Sequence, residues 1–332
     1  MELGYTLAKA VVQGLTEFLP VSSSAHLVLT NTLFNILGQP VPNHVEAEVF
    51  DVMLHMGTLA AVLVYFWNDL QAIARGILST DTLQVGTENA PLLAPKSIPK
   101  YIIISTFITC AFIGTFLIGS KLLFAQLGWA TEQVSDISDF YRANPFFVGL
   151  HLILTGLTLL FIEHRASQQT TQPMFNTKNA MLVGLFQGMA GIFRGFSRSG
   201  SCMSGAMLGG ADRATAAKYA FLASIPIFIL AGAYEGFKVL KLDISGSMDW
   251  PMMGLGIIVT AVVGYMCIKG FIAYVGKNSL KGFAVYCLVA GLLSGYLGYG
   301  ISEVFHPTTT TTDTPLHSVH PQNTLPTTNP NL

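Results

Sequence analysis

Long stretches of this chain are hydrophobic, and polar residues interrupt them at a few defined places. Six apolar runs, 50–67, 101–119, 146–162, 218–234, 250–268 and 282–301, are long enough to cross a bilayer as helices, which takes about 17–25 residues. Two further apolar regions, 5–38 and 180–210, are broken by polar residues and by glycine or proline. Short, interrupted apolar segments predict re-entrant or discontinuous helices. Such backbone is tolerated at membrane depth only inside protein or beside a wet cavity.

The two broken regions resemble each other. Gln13-Gly14 precedes Ser22-Ser23 much as Gln187-Gly188 precedes Ser197-Arg198-Ser199. Each half of the chain holds one broken region followed by three spanning runs. An odd number of spans per half turns the second copy over, so the halves form an inverted repeat with the broken regions meeting near the centre. The expected fold is an all-α integral membrane protein with six transmembrane helices and two re-entrant helical hairpins. It forms a single polytopic domain over 1–305, with halves at about 1–165 and 175–305. Residues 306–332 are rich in Thr and Pro and predict a disordered tail.

Composition agrees with the pattern. Of 332 residues, 51% are hydrophobic and 11% charged, against about a quarter charged in soluble domains. The net charge of -1 gives no general attraction to nucleic acid. Cys110, Cys202, Cys267 and Cys287 form no CxxC pair, which argues for reduced packing residues. The N-terminus lacks the basic start of a secretory signal. Loops 68–100, 163–179 and 269–281 carry Arg75, Lys96, Lys100, Arg165, Lys178, Lys269, Lys277 and Lys281; the other side carries Lys9, Lys121, Arg142, Lys238 and Lys241. The richer side is expected to be cytoplasmic. The first broken region and the C-terminus then face outside.

The polar residues of the broken regions are the chemical candidates, because unpaired polar groups are costly inside a membrane. Gln13 and Glu17 are four apart and share a helix face, which Pro20 should end. Ser22, Ser23 and Ser24 then open a second helix with His26 in its first turns. The hydroxyls and free amides of such a start accept anions. Arg198, flanked by Ser197 and Ser199, offers a planar fork that matches phosphate oxygens. Gly195 and Gly200 allow close approach of backbone to ligand. The plainer readings are that the serines cap helices, that His26 packs, and that Arg198 pairs with Glu17.

The run from Gln13-Gly14-Leu15-Thr16-Glu17-Phe18-Leu19-Pro20 through Val21-Ser22-Ser23-Ser24-Ala25-His26, with Gly195-Phe196-Ser197-Arg198-Ser199-Gly200, resembles the bacterial undecaprenyl-diphosphatase family of the bacitracin-resistance type. Phe50-Asp51-Val52-Met53-Leu54-His55-Met56-Gly57-Thr58 resembles a further family segment. The resemblance spans about residues 5–301. It implies an inner-membrane hydrolase that removes the terminal phosphate of undecaprenyl diphosphate, needs a divalent cation (Mg²⁺ or Ca²⁺) and often forms a homodimer. It also implies that the product carrier lipid returns to peptidoglycan synthesis. Three positions depart from the family pattern: Gln13 stands for an acidic residue, a variant the family motif tolerates, Arg194 for a proline and Cys202 for a threonine.

In the roles this suggests, Ser23 is the nucleophile and His26 its base. Glu17 orients His26 or, with Gln13, holds the metal. Arg198, Ser22, Ser197, Ser199, Gly195 and Gly200 receive the diphosphate, and Arg194 either joins them or faces outward. Attack by water activated by His26 or Glu17 is the rival. A lipid flippase or ion-coupled transporter would share the inverted repeat. A type-2 phosphatidic-acid phosphatase would need a histidine soon after Ser197-Arg198, and the chain has none there. Asp51 and His55, four apart, suit capping or packing as well as a cavity. Asp212 and Arg213 suggest a pair at a helix start, and Gly291-x-x-x-Gly295 close packing within the chain or between subunits.

Overall fold

The computed structural model describes residues 1–42, 44–78, 97–127, 145–168, 175–241 and 249–305. The expected tail 306–332, Lys96, Arg142 and Asp243 lie outside the described residues. Every regular element among those described is a helix: α1 (Leu3–Thr16), α2 (Ser23–Ile36), α3 (His44–Tyr65), α4 (Trp67–Leu78), α5 (Ile98–Leu127), α6 (Pro145–Ala166), α7 (Thr177–Ile192), α8 (Arg198–Leu208), α9 (Arg213–Lys241), α10 (Trp250–Val275) and α11 (Lys281–Phe305). Six are long and apolar enough to cross a membrane, with windows in α3, α5, α6, α9, α10 and α11. These are the six runs expected from the hydropathy pattern. Large apolar side chains such as Phe107 (72% exposed) and Tyr296 (77%) point outward from them, as lipid-facing surfaces require.

Ion pairs and ring contacts gather the helix ends into two layers. At one end, Asp69 just past α3 pairs with Lys218 at the start of α9 at 2.7 Å. Glu163 near the end of α6 accepts two bonds from Arg213 of α9, at 2.7 and 2.6 Å, and one from the Leu280 amide ahead of α11. Phe175, just before α7, stacks near Tyr101 of α5. At the other end, the Met1 ammonium meets Asp249, which caps α10, and Ser294 of α11 bonds the Pro145 carbonyl at the start of α6. Thus α1 begins in one layer and α7 in the opposite one.

The short pairs α1–α2 and α7–α8 therefore enter from opposite ends, each interrupted within the protein. Their packing is reciprocal: α1 lies on α10 of the second half, and α7 on α5 of the first. This fits two re-entrant hairpins in an inverted repeat. The pair α6–α11 packs backbone to backbone, since a Cβ on Gly149 would sit 2.5 Å from the Gly291 carbonyl. Gly291-x-x-x-Gly295 is thereby used within one chain. Arg213 pairs with Glu163, while Asp212 caps α9 through the Ala214 and Thr215 amides, so the expected pairing of Asp212 with Arg213 is replaced by two separate tasks. Helix α4 was expected to be loop. Its Leu70 and Ile73, three apart, turn onto the main core, a spacing too short-lived to stand out beside the long spans.

Candidate active site

Each hairpin breaks where its sequence forbids a continuous helix. Helix α1 stops at Thr16, and Pro20 follows inside the turn. Ser22 then takes a left-handed φ of 68°, the one non-glycine residue with positive φ among the described residues. Such backbone costs on the order of 1–3 kcal/mol and persists only where its surroundings impose it. It turns the chain so that Ser23 opens α2, with the Ser22 hydroxyl capping the Ala25 amide at 3.4 Å. In the second hairpin, Gly195 adopts φ +103°, and a Cβ there would lie 2.6 Å from the Val148 carbonyl. Ser197 caps α8 through the Gly200 amide.

The two breaks are joined directly. The Ser199 hydroxyl donates to the Leu19 carbonyl at 2.7 Å, and the Gly195 amide donates to the Ser24 hydroxyl at 3.3 Å. Arg198 forms an ion pair with Glu17. The Ser197 backbone N–H donates a hydrogen bond to the Thr155 hydroxyl, and the Ser201 hydroxyl donates to the Ser197 carbonyl. Ser197 and Ser199 are buried and occupied in building the junction. Gly200 packs against Pro20 across it.

Glu17 is the hub of the junction. One carboxylate oxygen takes Arg198. The other accepts the Ser23 hydroxyl at 2.5 Å and the Gln13 amide at 2.7 Å, and faces His55 Nε2 at 3.5 Å. The Arg198 guanidinium lies over the Phe228 ring at 4.1 Å. Two atoms in this cluster are buried without a hydrogen-bond partner, Arg198 Nη1 and Gln13 Oε1. A buried donor left unmatched costs roughly 1–3 kcal/mol, and an unmatched guanidinium nitrogen beside the Glu17–Ser23 pair suits an incoming anion.

His26 is placed differently from expectation. Its Nδ1 bonds the Ser22 carbonyl at 2.8 Å, so it carries the proton, and its Nε2 meets the Tyr286 hydroxyl at 2.7 Å. Both ring nitrogens are engaged with groups other than the Ser23 hydroxyl, which donates instead to Glu17. From His26 an apolar groove of about 240 Å³ runs along α11 past Tyr286, Val289, Leu293 and Leu297. Cys202 lies in the main core among apolar side chains, so its departure from threonine falls on a packing position.

A second buried cluster adjoins the first. Lys9, counted above with the outer loop charges, is fully buried in α1 and paired with Asp51 of α3. Asp51 also faces Arg194 Nη2 at 3.4 Å. One turn along α3, His55 donates through Nδ1 to the Asp51 carbonyl at 2.7 Å and presents Nε2 to Glu17. Lys9 was legible in principle: Lys9, Gln13 and Glu17 repeat every four residues and share a helix face.

The donor set does not fit a resident divalent cation. Mg²⁺ and Ca²⁺ take six or more oxygens, with carboxylates free to turn toward them. Here both Glu17 oxygens and one Asp51 oxygen already face fixed cations or donors. Among the described residues no three His, Cys, Asp or Glu gather in metal-ligand geometry. Of the expected pair Glu17 and Gln13, only the Gln13 amide oxygen is free.

These features define a class: a polytopic helical membrane protein whose two interrupted hairpins enclose an acid, a hydroxyl and a guanidinium. The particular family follows from comparison. The chain belongs to the bacitracin resistance protein BacA family, whose model matches residues 6–293. It is similar to the undecaprenyl-diphosphatase of Teredinibacter turnerae, 33% identical over 294 residues that cover 88% of this chain and 98% of the relative. It is likewise similar to the undecaprenyl-diphosphatases of Desulforudis audaxviator (36% over 290 residues; 86% and 94%) and Methanosphaera stadtmanae (34% over 288 residues; 85% and 93%).

Proposed function

We propose that this chain is a membrane phosphatase that hydrolyses undecaprenyl diphosphate to undecaprenyl phosphate and inorganic phosphate. By returning carrier lipid to cell-wall synthesis it would confer bacitracin resistance. The observation that carries the reading is the Ser23 hydroxyl donating to Glu17 at 2.5 Å, with Glu17 ion-paired to Arg198 across the junction of the hairpins.

The step follows from this geometry. Ser23 Oγ attacks the terminal phosphorus while Glu17 takes its proton. The bridging P–O bond breaks, and the prenyl monophosphate leaves with that bonding pair. Water then cleaves the phosphoserine, giving inorganic phosphate and restoring Ser23. A serine hydroxyl needs such an adjacent base to act as a nucleophile. Arg198, with its unmatched Nη1, stabilises charge on the transferring phosphoryl group. Ser22 and Gly195 shape the pocket, and Ser197, Ser199 and Gly200 fix Arg198 at the start of α8. His26 stands where the groove along α11 begins, and the apolar lining of that groove supports an exit for the prenyl chain toward lipid.

The protein sits in the bacterial inner membrane with its N-terminal hairpin open to the periplasmic face. The loop charges support this orientation. With Lys9 buried and removed from the outer set, the bias toward a cytoplasmic 163–179 and 269–281 becomes stronger. A homodimer would need a face other than Gly291-x-x-x-Gly295.

The test is phosphate release from undecaprenyl diphosphate by purified full-length protein with Mg²⁺ present. Release that Arg198→Ala abolishes is expected. Lipid translocation in vesicles with no phosphate released would replace the enzyme with a carrier.

A further inference from the structure

The charges at the site do not balance. Lys9, Arg194 and Arg198 face two carboxylates, Asp51 and Glu17, which leaves one positive charge over. Geometry locates the excess. Lys9 is fully buried and touches Asp51 closely, whereas Arg194 reaches the same carboxylate only at 3.4 Å and keeps 29% of its side chain exposed. Lys9 thus satisfies Asp51, and the Arg194 fork stays available. Arg194 lies in the break of the second hairpin, next to Gly195, whose amide bonds Ser24. Its carbonyl is held by His151 Nδ1 at 2.9 Å, which fixes the backbone from which the side chain extends.

Resting on the diphosphatase reading, we propose that fixed cations in this chain do the phosphate binding that the family assigns to a divalent metal. Arg198 holds the transferring phosphate. Arg194 holds the other, its charge kept free by Lys9, which acts as a positioning residue. Two of the three departures from the family pattern then belong together. Gln13, a variant the family motif tolerates, offers no second carboxylate and Arg194 supplies a guanidinium, while both Glu17 oxygens already face Arg198, Ser23 and Gln13. An arginine fork binds phosphate bidentately without a bridging ion.

The experiment measures phosphate release by purified wild type in excess chelator and in Mg²⁺. Rates within about twofold of each other are expected. A loss of tenfold or more in chelator, restored by Mg²⁺, overturns the inference and leaves the phosphatase reading intact. No release under either condition overturns that reading instead. Arg194→Pro should lose about tenfold in chelator, equivalent to roughly 1.4 kcal/mol, and regain it with Mg²⁺. Lys9→Met should do the same, because Asp51 then captures Arg194. Lys9→Met/Asp51→Asn should recover the chelator-resistant rate; failure of this rescue in a folded protein removes Lys9 from the scheme. As a readout without turnover, inorganic pyrophosphate in chelator should raise the thermal midpoint of wild type more than that of Arg194→Pro, and equal shifts would count against Arg194 as a phosphate ligand.

Discussion

Glu17 serves two masters at the residue scale, and substitution separates them. As the base for Ser23, its replacement in Glu17→Gln should slow phosphate release by about 10²–10⁴-fold. As the partner of Arg198, the same change leaves a mostly buried guanidinium facing a neutral amide, and losing one member of such a pair costs on the order of 3–5 kcal/mol. Glu17→Gln is therefore expected to lower both activity and thermal midpoint. Ser23→Ala should remove activity and any phosphoserine intermediate while losing a single hydrogen bond to a carboxylate, about 1.5–3 kcal/mol. Substantial turnover in folded Ser23→Ala would make water the nucleophile. His26→Gln should cost less in rate than Glu17→Gln, since both imidazole nitrogens are engaged with Ser22 and Tyr286. An equal cost in a kinetic comparison would return the imidazole to the chemistry.

Much of the site was legible as residues and little of it as pairs. Ser23, Glu17 and Arg198 stand out because hydroxyl, acid and guanidinium are expensive in apolar sequence. Spacing alone pairs Ser23 with His26, because three residues put side chains near each other without fixing where the ring nitrogens point; in the structure Ser23 donates to Glu17. Ser22 decides that: its carbonyl takes Nδ1 and turns the ring toward α11. Lys9 and Asp51 lie 42 residues apart, and Arg194 and Asp51 143 apart. No local periodicity connects such positions. Only the packing of α1 and the second hairpin against α3 brings them together.

The hairpin breaks carry the site at the element scale, and glycine makes the second one possible. Gly195 needs a φ of +103° and the space beside Val148, so Gly195→Ala meets strain and a clash together. Strain alone costs about 1–3 kcal/mol. Gly200→Ala places its Cβ 3.2 Å from the Pro20 side chain and 3.3 Å from Ser197, at ordinary backbone angles. Gly195→Ala is thus expected to lose more activity and more thermal stability than Gly200→Ala, measured side by side in detergent. The reverse order would show that the Gly200–Pro20 contact, rather than the left-handed turn, sets the junction. The spans themselves were plain from hydropathy, because lipid imposes long uninterrupted apolar runs. Helix α4 was not, because its single buried face is only a few residues long.

One topological statement governs the whole molecule: helix ends fall into two layers, and the hairpins enter from different ones. Glu163, Arg213, Leu280, Asp69 and Lys218 meet in one layer, while Met1 and Asp249 meet in the other. On the orientation proposed from loop charge, the first layer is cytoplasmic. The orientation matters for the proposed function, since it would bring diphosphate at the outer leaflet to the end from which the α1–α2 hairpin enters. Cysteines introduced singly at Glu2 and at Lys277, in a background lacking the four native cysteines, should respond oppositely to a membrane-impermeant thiol reagent. In cells with a permeabilised outer membrane and an intact inner one, the Glu2 position should label, and the Lys277 position should label only after lysis. The opposite pattern would invert the protein and put the α1–α2 entrance on the cytoplasmic face. Labelling of both positions before lysis would contradict the two-layer arrangement itself, because these positions belong to opposite ends of α1 and α10 packed side by side.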